Sequence, residues 1–303
     1  MNVITECITI TSPSHSELPE TPMPTRESPT LRRRRLAQQL RNLREDSGLK
    51  SAEVAARLEW APSKLTRMER NEGKRPDPRD IRDLCEVYEV DDAQRDRLVQ
   101  LARDGRKRGW WDPYDKVLPE ATTAFIGLEA EAASVLVFEA LAIPGLLQTP
   151  EYADAVNRGG ATKLPDEQIQ ARVDVRMRRQ KALHEDPPLE VVAVIDEAVL
   201  HRTVGDPEVM RGQIEHLRQV ARRPNVTVQV IPYDAGAHAS MSGSFNILQF
   251  PEPGDLDAVF VDLVAGEMFI EEPAEVKRYH AAFLNLVGAA ASPANTLDML
   301  TNR

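Results

Sequence analysis

Residues 51 to 70 leave room for two short helices and a tight break, and for little else. Val54, Ala55 and Leu58 fall on one helical stripe, Pro62 suits the first turn of a new helix, and Leu65 and Met68 form a second stripe. Ser51 is placed to cap the first helix. The small Ala55 lets the two helices cross closely, and Val54, Leu58, Trp60, Leu65 and Met68 supply the apolar contacts that fix their angle. Such a pair cannot bury its apolar faces alone.

The flanking sequence supplies the rest of a core. Leu31, Leu36, Leu40 and Leu43 recur near helical spacing, and Gly48 gives a stop. Asp77 followed by Pro78 marks another start, with Ile81, Leu84, Cys85 and Tyr88 on one stripe. Asp91 begins a fifth helix that runs through Leu98 and Leu101 to the basic Arg106, Lys107 and Arg108. The pattern predicts an all-α five-helix domain over residues 30–109, closed by the aromatic boundary Trp110, Trp111, Pro113 and Tyr114.

Ahead of it, residues 1–29 hold five prolines and nine Ser or Thr, which predicts a disordered arm. Behind it, helical and β-branched runs alternate. Helices are expected over 123–136, 165–184, 206–222, 273–287 and 293–300, and strands over 134–140, 189–195, 226–231, 244–250 and 258–264. The interleaving predicts a mixed α/β (α+β) domain over residues 110–303, so the chain is multidomain.

A formal net charge of −10 argues against a uniformly basic nucleic-acid binder. Its distribution says something else: residues 31–75 hold thirteen Lys or Arg against six Asp or Glu. A basic segment on an acidic body points to nucleic acid, although a solvated arginine-rich helix face gives the same local balance. On a helical wheel, Ser63, Lys64, Thr66, Arg67 and Arg70 point away from Leu65 and Met68. Arginine there can donate two bonds to guanine, while serine and threonine can reach base edges or phosphate. Ser51 can offer its hydroxyl to a phosphate.

Other chemistries find less support. Cys7 and Cys85 stand far apart, which suits a reducing cytosol, and the six histidines show no metal-ligand spacing. No secretory signal pattern and no apolar stretch of ~20 residues is present, so a cytoplasmic location is expected. Asp196 and Glu197 end an expected strand, as catalytic carboxylates often do, but they also suit the start of the next helix. With no nucleophile elbow, P-loop or dinucleotide fingerprint, neither an enzyme nor a cofactor is expected.

Residues 31–90 resemble the repressor-type domain of the phage-repressor and Xre superfamily, chiefly through the run from Leu58 to Glu69 and the basic Gly73, Lys74, Arg75 and Pro76. The resemblance implies base-reading roles for Pro62, Ser63, Thr66 and Arg67, with Lys64 and Ser51 near phosphates. Two positions depart from that pattern. Glu59 stands where the family's turn usually has glycine, which predicts either a strained left-handed residue or an altered turn, and Ala61 stands where a serine or threonine cap is usual.

The run from Glu139 to Ala153, with Gly236-Ala237-His238 and Gly243-Ser244-Phe245, resembles WhiJ-type regulators of sporulating filamentous bacteria. That resemblance implies an Xre-type DNA reader joined to a C-terminal domain of poorly defined role. It also implies a small acidic partner protein encoded nearby, a pairing likened to toxin–antitoxin systems. Phe138, Gln148, Thr149, Tyr152 and His238 are candidate ligand or partner contacts. Gln148 and Thr149 could anchor a pocket, or the same segment could simply start a helix with Leu146 and Leu147 in the core. Three readings stay open: a sequence-specific transcriptional regulator binding double-stranded DNA as a homodimer, an antitoxin-like partner protein, and a small-molecule-gated sensor.

Overall fold

A computed structural model describes residues 28–302, apart from Lys74, 161–162, Pro253 and 264–265. The expected arm therefore lies outside the described residues up to residue 27. Its last two positions are a correction. Ser28 and Pro29 are buried, because the Ser28 side chain caps the first helix and its backbone N–H donates to Glu131 Oε2 at 2.8 Å.

The N-terminal region is helical: α1 Pro29–Asp46, α2 Ser51–Arg57, α3 Pro62–Glu69, α4 Pro78–Val87 and α5 Asp92–Asp104. Local signals set most ends. Gly48 takes φ +69° just past α1, and the Asp77 and Asp91 side chains accept from the N–H groups of Arg79 and Gln94. The second start differs from expectation. Lys50 is its N-cap, Ser51 is the first helical residue, and the Glu53 carboxylate accepts from the Lys50 N–H at 2.8 Å. Glutamate at the third position thus satisfies an end that the serine was expected to hold. Leu36, Leu40, Val54, Leu65, Ile81, Leu84 and Leu98 form one fully buried cluster.

After a 3₁₀ turn at Asp112–Tyr114, the second region runs α6 Glu120–Glu129, β1 Ser134–Glu139, α7 Pro150–Arg158, α8 Asp166–Arg179, β2 Glu190–Asp196, α9 Ala198–His201, α10 Pro207–Val220, β3 Val226–Ile231, β4 Phe245–Gln249, β5 Ala258–Leu263, β6 Gly266–Ile270, α11 Pro273–Ala289 and α12 Pro293–Thr301. The helix expected over 123–136 stops at Glu129, because Val135 and Val137 pair with neighbouring strands on both sides. Strand β6 and the short α9 were not foreseen, whereas α7 is the helix that the segment around Leu146 and Leu147 was open to starting.

The six strands form one mixed sheet in the order β3-β2-β1-β4-β5-β6, parallel from β3 to β1 and antiparallel from β1 to β6. Val137, Ala193, Ile195 and Val228 face Tyr152 and Leu217, while Phe138, Val194, Ile247 and Val259 face Phe283 and Leu286 of α11. With both faces covered, the central strands read as continuous apolar runs. Leu31 of α1 belongs to the first of these two cores, beside Phe125 and Leu128 of α6. The first helix is therefore shared by both regions. Among the described residues, no helix is long and apolar enough to cross a membrane.

Candidate nucleic-acid interface

Helix α2 ends in a pair of reversed hydrogen bonds, Trp60 N–H to Ala55 C=O at 2.8 Å and Glu59 N–H to Ala56 C=O at 3.3 Å. This is a Schellman closure, and it places Glu59 at φ +54°. Of the two outcomes expected from the missing glycine, the left-handed residue is the one present. The same closure ends α3 at Asn71 and α4 at Glu89, again without glycine. Trp60 then packs against the helical core, so the chain re-enters α3 at a fixed angle over the buried Ala55. Ala61 is the N-cap and offers no side-chain bond, while Pro62 at the first position needs none.

Leu65 and Met68 turn inward, and Pro62, Ser63, Arg67 and Arg70 lie on the exposed side of α3, with Ser51, Lys64 and Thr66 partly covered. Arg67 Nε donates to the Ser63 carbonyl at 3.3 Å, which holds the guanidinium along the helix surface. Lys64 is committed elsewhere. Its Nζ lies 2.7 Å from Asp80 Oδ1 and 3.8 Å from the centre of the Trp60 ring. To reach a phosphate it must leave a carboxylate and an aromatic face.

The basic segment as a whole is less available than its composition implied. Arg32 pairs with Glu131 at 3.1 Å, Arg34 with Glu271 at 2.6 Å, and Arg35 with Glu131 and Asp255, all in the second region. Arg33 donates to Gly105 C=O, and Arg75 donates to the carbonyls of Arg106 and Lys107. Lys74 lies outside the described residues. Four consecutive arginines on a helix spread around its whole circumference at 100° per residue, so they could not all have served one DNA-facing stripe. That geometric signal was present in the sequence. The carboxylate partners of Arg32, Arg34 and Arg35, about one hundred to more than two hundred positions away, were not identifiable from it.

The five C-terminal candidates do not converge. Phe138 is fully buried on the α11 side of the sheet, edge-on to the His238 ring at 5.3 Å, and His238 Nε2 lies 3.6 Å from Asp196. Tyr152 is fully buried on the opposite side, where its hydroxyl accepts from the Ile143 N–H at 3.2 Å. Thr149 caps α7 by accepting from the Tyr152 N–H, and its own N–H donates to Gln213. Phe138, Thr149 and Tyr152 are thus occupied in holding the fold together. Gln148 also donates to Ile143 C=O at 2.6 Å, yet it borders a cavity described below. Among the described residues, no cluster of three or more His, Cys, Asp or Glu side chains is arranged to hold a metal ion.

The helix-turn-helix domain family matches residues 35–98, which include all of α2 to α4. A second family, a domain of unknown function (DUF5753), matches residues 122–302. The chain belongs to the DUF5753 family. In this DUF5753 protein the matched region begins within α6 and includes the whole sheet, and the aromatic residues Trp110 and Trp111 lie between the two matched segments. No curated protein and no solved structure matches the chain.

Proposed function

We propose that the chain is a sequence-specific, DNA-binding transcriptional regulator whose helix α3 enters the major groove. One observation carries this reading. Ser63, Arg67 and Arg70 are exposed on one side of α3 while Leu65 and Met68 lock its other side into the core. A rigid helix with an exposed arginine face has the chemistry for reading guanine edges, and the hydroxyls of Ser51 and Thr66 add the chemistry for phosphate or base contacts. The likeness to Xre-type repressors and WhiJ-type regulators supports the same reading. As a homodimer, the protein would set two such helices ~34 Å apart, in successive major grooves of a near-palindromic operator.

On this reading the protein is cytoplasmic, is associated with the nucleoid when DNA-bound, and performs no catalysis. Its C-terminal region serves dimerisation or partner binding. Exposed Leu263 and Met268 on the β5–β6 hairpin, at the open edge of the sheet, support a partner surface there. A small acidic protein encoded nearby, in an antitoxin-like pairing, is a candidate occupant.

The test is a mobility shift with the DNA upstream of the protein's own gene, against a scrambled duplex and across a salt series. A preference for the native duplex that Arg67→Ala abolishes is the expected result. Indifference to every duplex at low ionic strength ends the reading. Light scattering on the purified protein decides whether it is a dimer.

A further inference from the structure

Helix α8 and the end of the sheet where β1, β4, β5 and β6 meet enclose a cavity of about 380 Å³. Both signs of charge line it. Arg172 and Arg176 come from α8, one turn apart, and Glu139, Asp262 and Glu267 come from strands β1, β5 and β6. Among the described residues, these two arginines and three carboxylates close no ion pair with one another. Arg179, one turn further along α8, shows the contrast: it holds Glu129 with two bonds of 2.7 Å.

Among the described residues, two of the charged groups have an atom with no partner: Arg172 Nε and Glu267 Oε2 are buried without any hydrogen bond. Arg172 donates to the Val117 carbonyl, at 3.5 Å, through Nη2, and Glu267 accepts from the Thr122 hydroxyl through its other oxygen. Arg176 donates to Gln148 Oε1. Burial, and then the neighbouring Arg179, pull the Arg176 guanidinium down to about 10, while burial pushes the Glu139 carboxyl up to about 7. Buried charges left apart in this way are costly to the fold, and a group that bridges them recovers the cost.

We propose that this cavity binds a small zwitterion the size of an amino acid or dipeptide, its carboxylate on Arg172 and Arg176 and its ammonium on Glu139, Asp262 and Glu267. A simple anion would face three carboxylates and a simple cation two guanidiniums, so a ligand carrying both charges fits best. The volume lies at the small end of the usual ~300–1,000 Å³ for ligand pockets. Phe125, Ile143, Val175 and Phe260 give the ligand's carbon skeleton an apolar wall. The site does not depend on DNA being the partner of α3.

Thermal melts of the full chain with the common amino acids and a set of dipeptides test it, alongside their methyl esters and N-acetyl derivatives. At least one zwitterion raises the melting temperature, because it binds the native state alone, and neither blocked form of it does so. Arg172→Gln and Glu267→Gln each weaken that binding by roughly tenfold to a hundredfold. Without ligand, Arg172→Gln melts no lower than the parent, since it removes a charge that lacks its full set of partners. Four results overturn the proposal: no zwitterion raises the melting temperature, blocked forms bind equally well, both variants bind like the parent, or Arg172→Gln is itself destabilised.

Discussion

Arg35 grips Asp255 with two parallel bonds, Nε to Oδ1 at 2.7 Å and Nη2 to Oδ2 at 2.5 Å, tying helix α1 to the connection between β4 and β5. Only 13% of the arginine side chain and 6% of the aspartate side chain are exposed, so solvent screens the pair little. A bidentate pair of this kind fixes orientation as well as distance. It is the firmest of several bridges that make the first helix a common element of both regions.

Asp255→Ala leaves the Arg35 guanidinium half-satisfied and should cost roughly 3 kcal/mol. The loss should also separate the two regions. In urea, far-ultraviolet dichroism and tryptophan fluorescence should report one transition for the parent and displaced transitions for the variant. Superimposable curves with an unchanged midpoint would show that the clamp contributes nothing.

Arg67 and Lys64 should behave differently on DNA, because only one of them is uncommitted to a carboxylate. Arg67→Ala should cost about 1–3 kcal/mol on the preferred duplex and little on a scrambled one. Lys64→Ala should change little, since Asp80 already holds the ammonium. Asp80→Asn releases it and should steepen the salt dependence by about one phosphate contact, a change of ~0.9 in slope. An unchanged slope in Asp80→Asn would show that Lys64 cannot reach the backbone.

Glu59 occupies a left-handed conformation without being glycine. An L-residue there carries a steric cost of ~1–2 kcal/mol, partly offset because glycine is freer in the unfolded chain. Glu59→Gly should therefore raise stability by roughly 0.5–1 kcal/mol, read from the denaturation midpoint. Glu59→Val should lower it, since a β-branched side chain tolerates that conformation worst. Equal midpoints for both variants would refute the strain.

Glu139 should make stability depend on pH. Burial chiefly raises its carboxyl from the ordinary 4.5 to about 7, with Asp262 adding to the rise and the Ser244 hydroxyl and Arg176 opposing it. The folded chain then holds the proton more tightly than the unfolded one. That contribution is complete below about 4.5 and is lost as pH rises through about 7. Glu139→Gln should flatten this part of the profile and leave the variant more stable than the parent at pH 8. Parallel profiles for parent and variant would count against the assignment.

Much of the first region was legible because its signals are local. Asp77-Pro78, Asp91, Gly48 and the stripe of Ile81, Leu84 and Cys85 act within a turn or two of their own position, and the backbone obeys them. The exposed side of α3 was legible for the same reason: Leu65 and Met68 fix its rotation, and Ser63, Arg67 and Arg70 follow from the helical period. Strand β6 escaped notice because, as an edge strand with no fully buried side chain, its run Gly266-Glu267-Met268-Phe269-Ile270 lacks the apolar signature of the inner strands.

By itself, then, the sequence determined where the helices of the first region and the inner strands lie and which residues α3 presents, since both depend on short-range sterics, capping and hydrophobic period. Tertiary structure alone decided the use of the charges. It set Arg32, Arg34 and Arg35 against carboxylates of the second region, gave Lys64 to Asp80, and held Arg172 and Arg176 across a cavity from three acidic side chains. A charge acts through space on whatever folding brings near, and its partner along the chain has no fixed spacing.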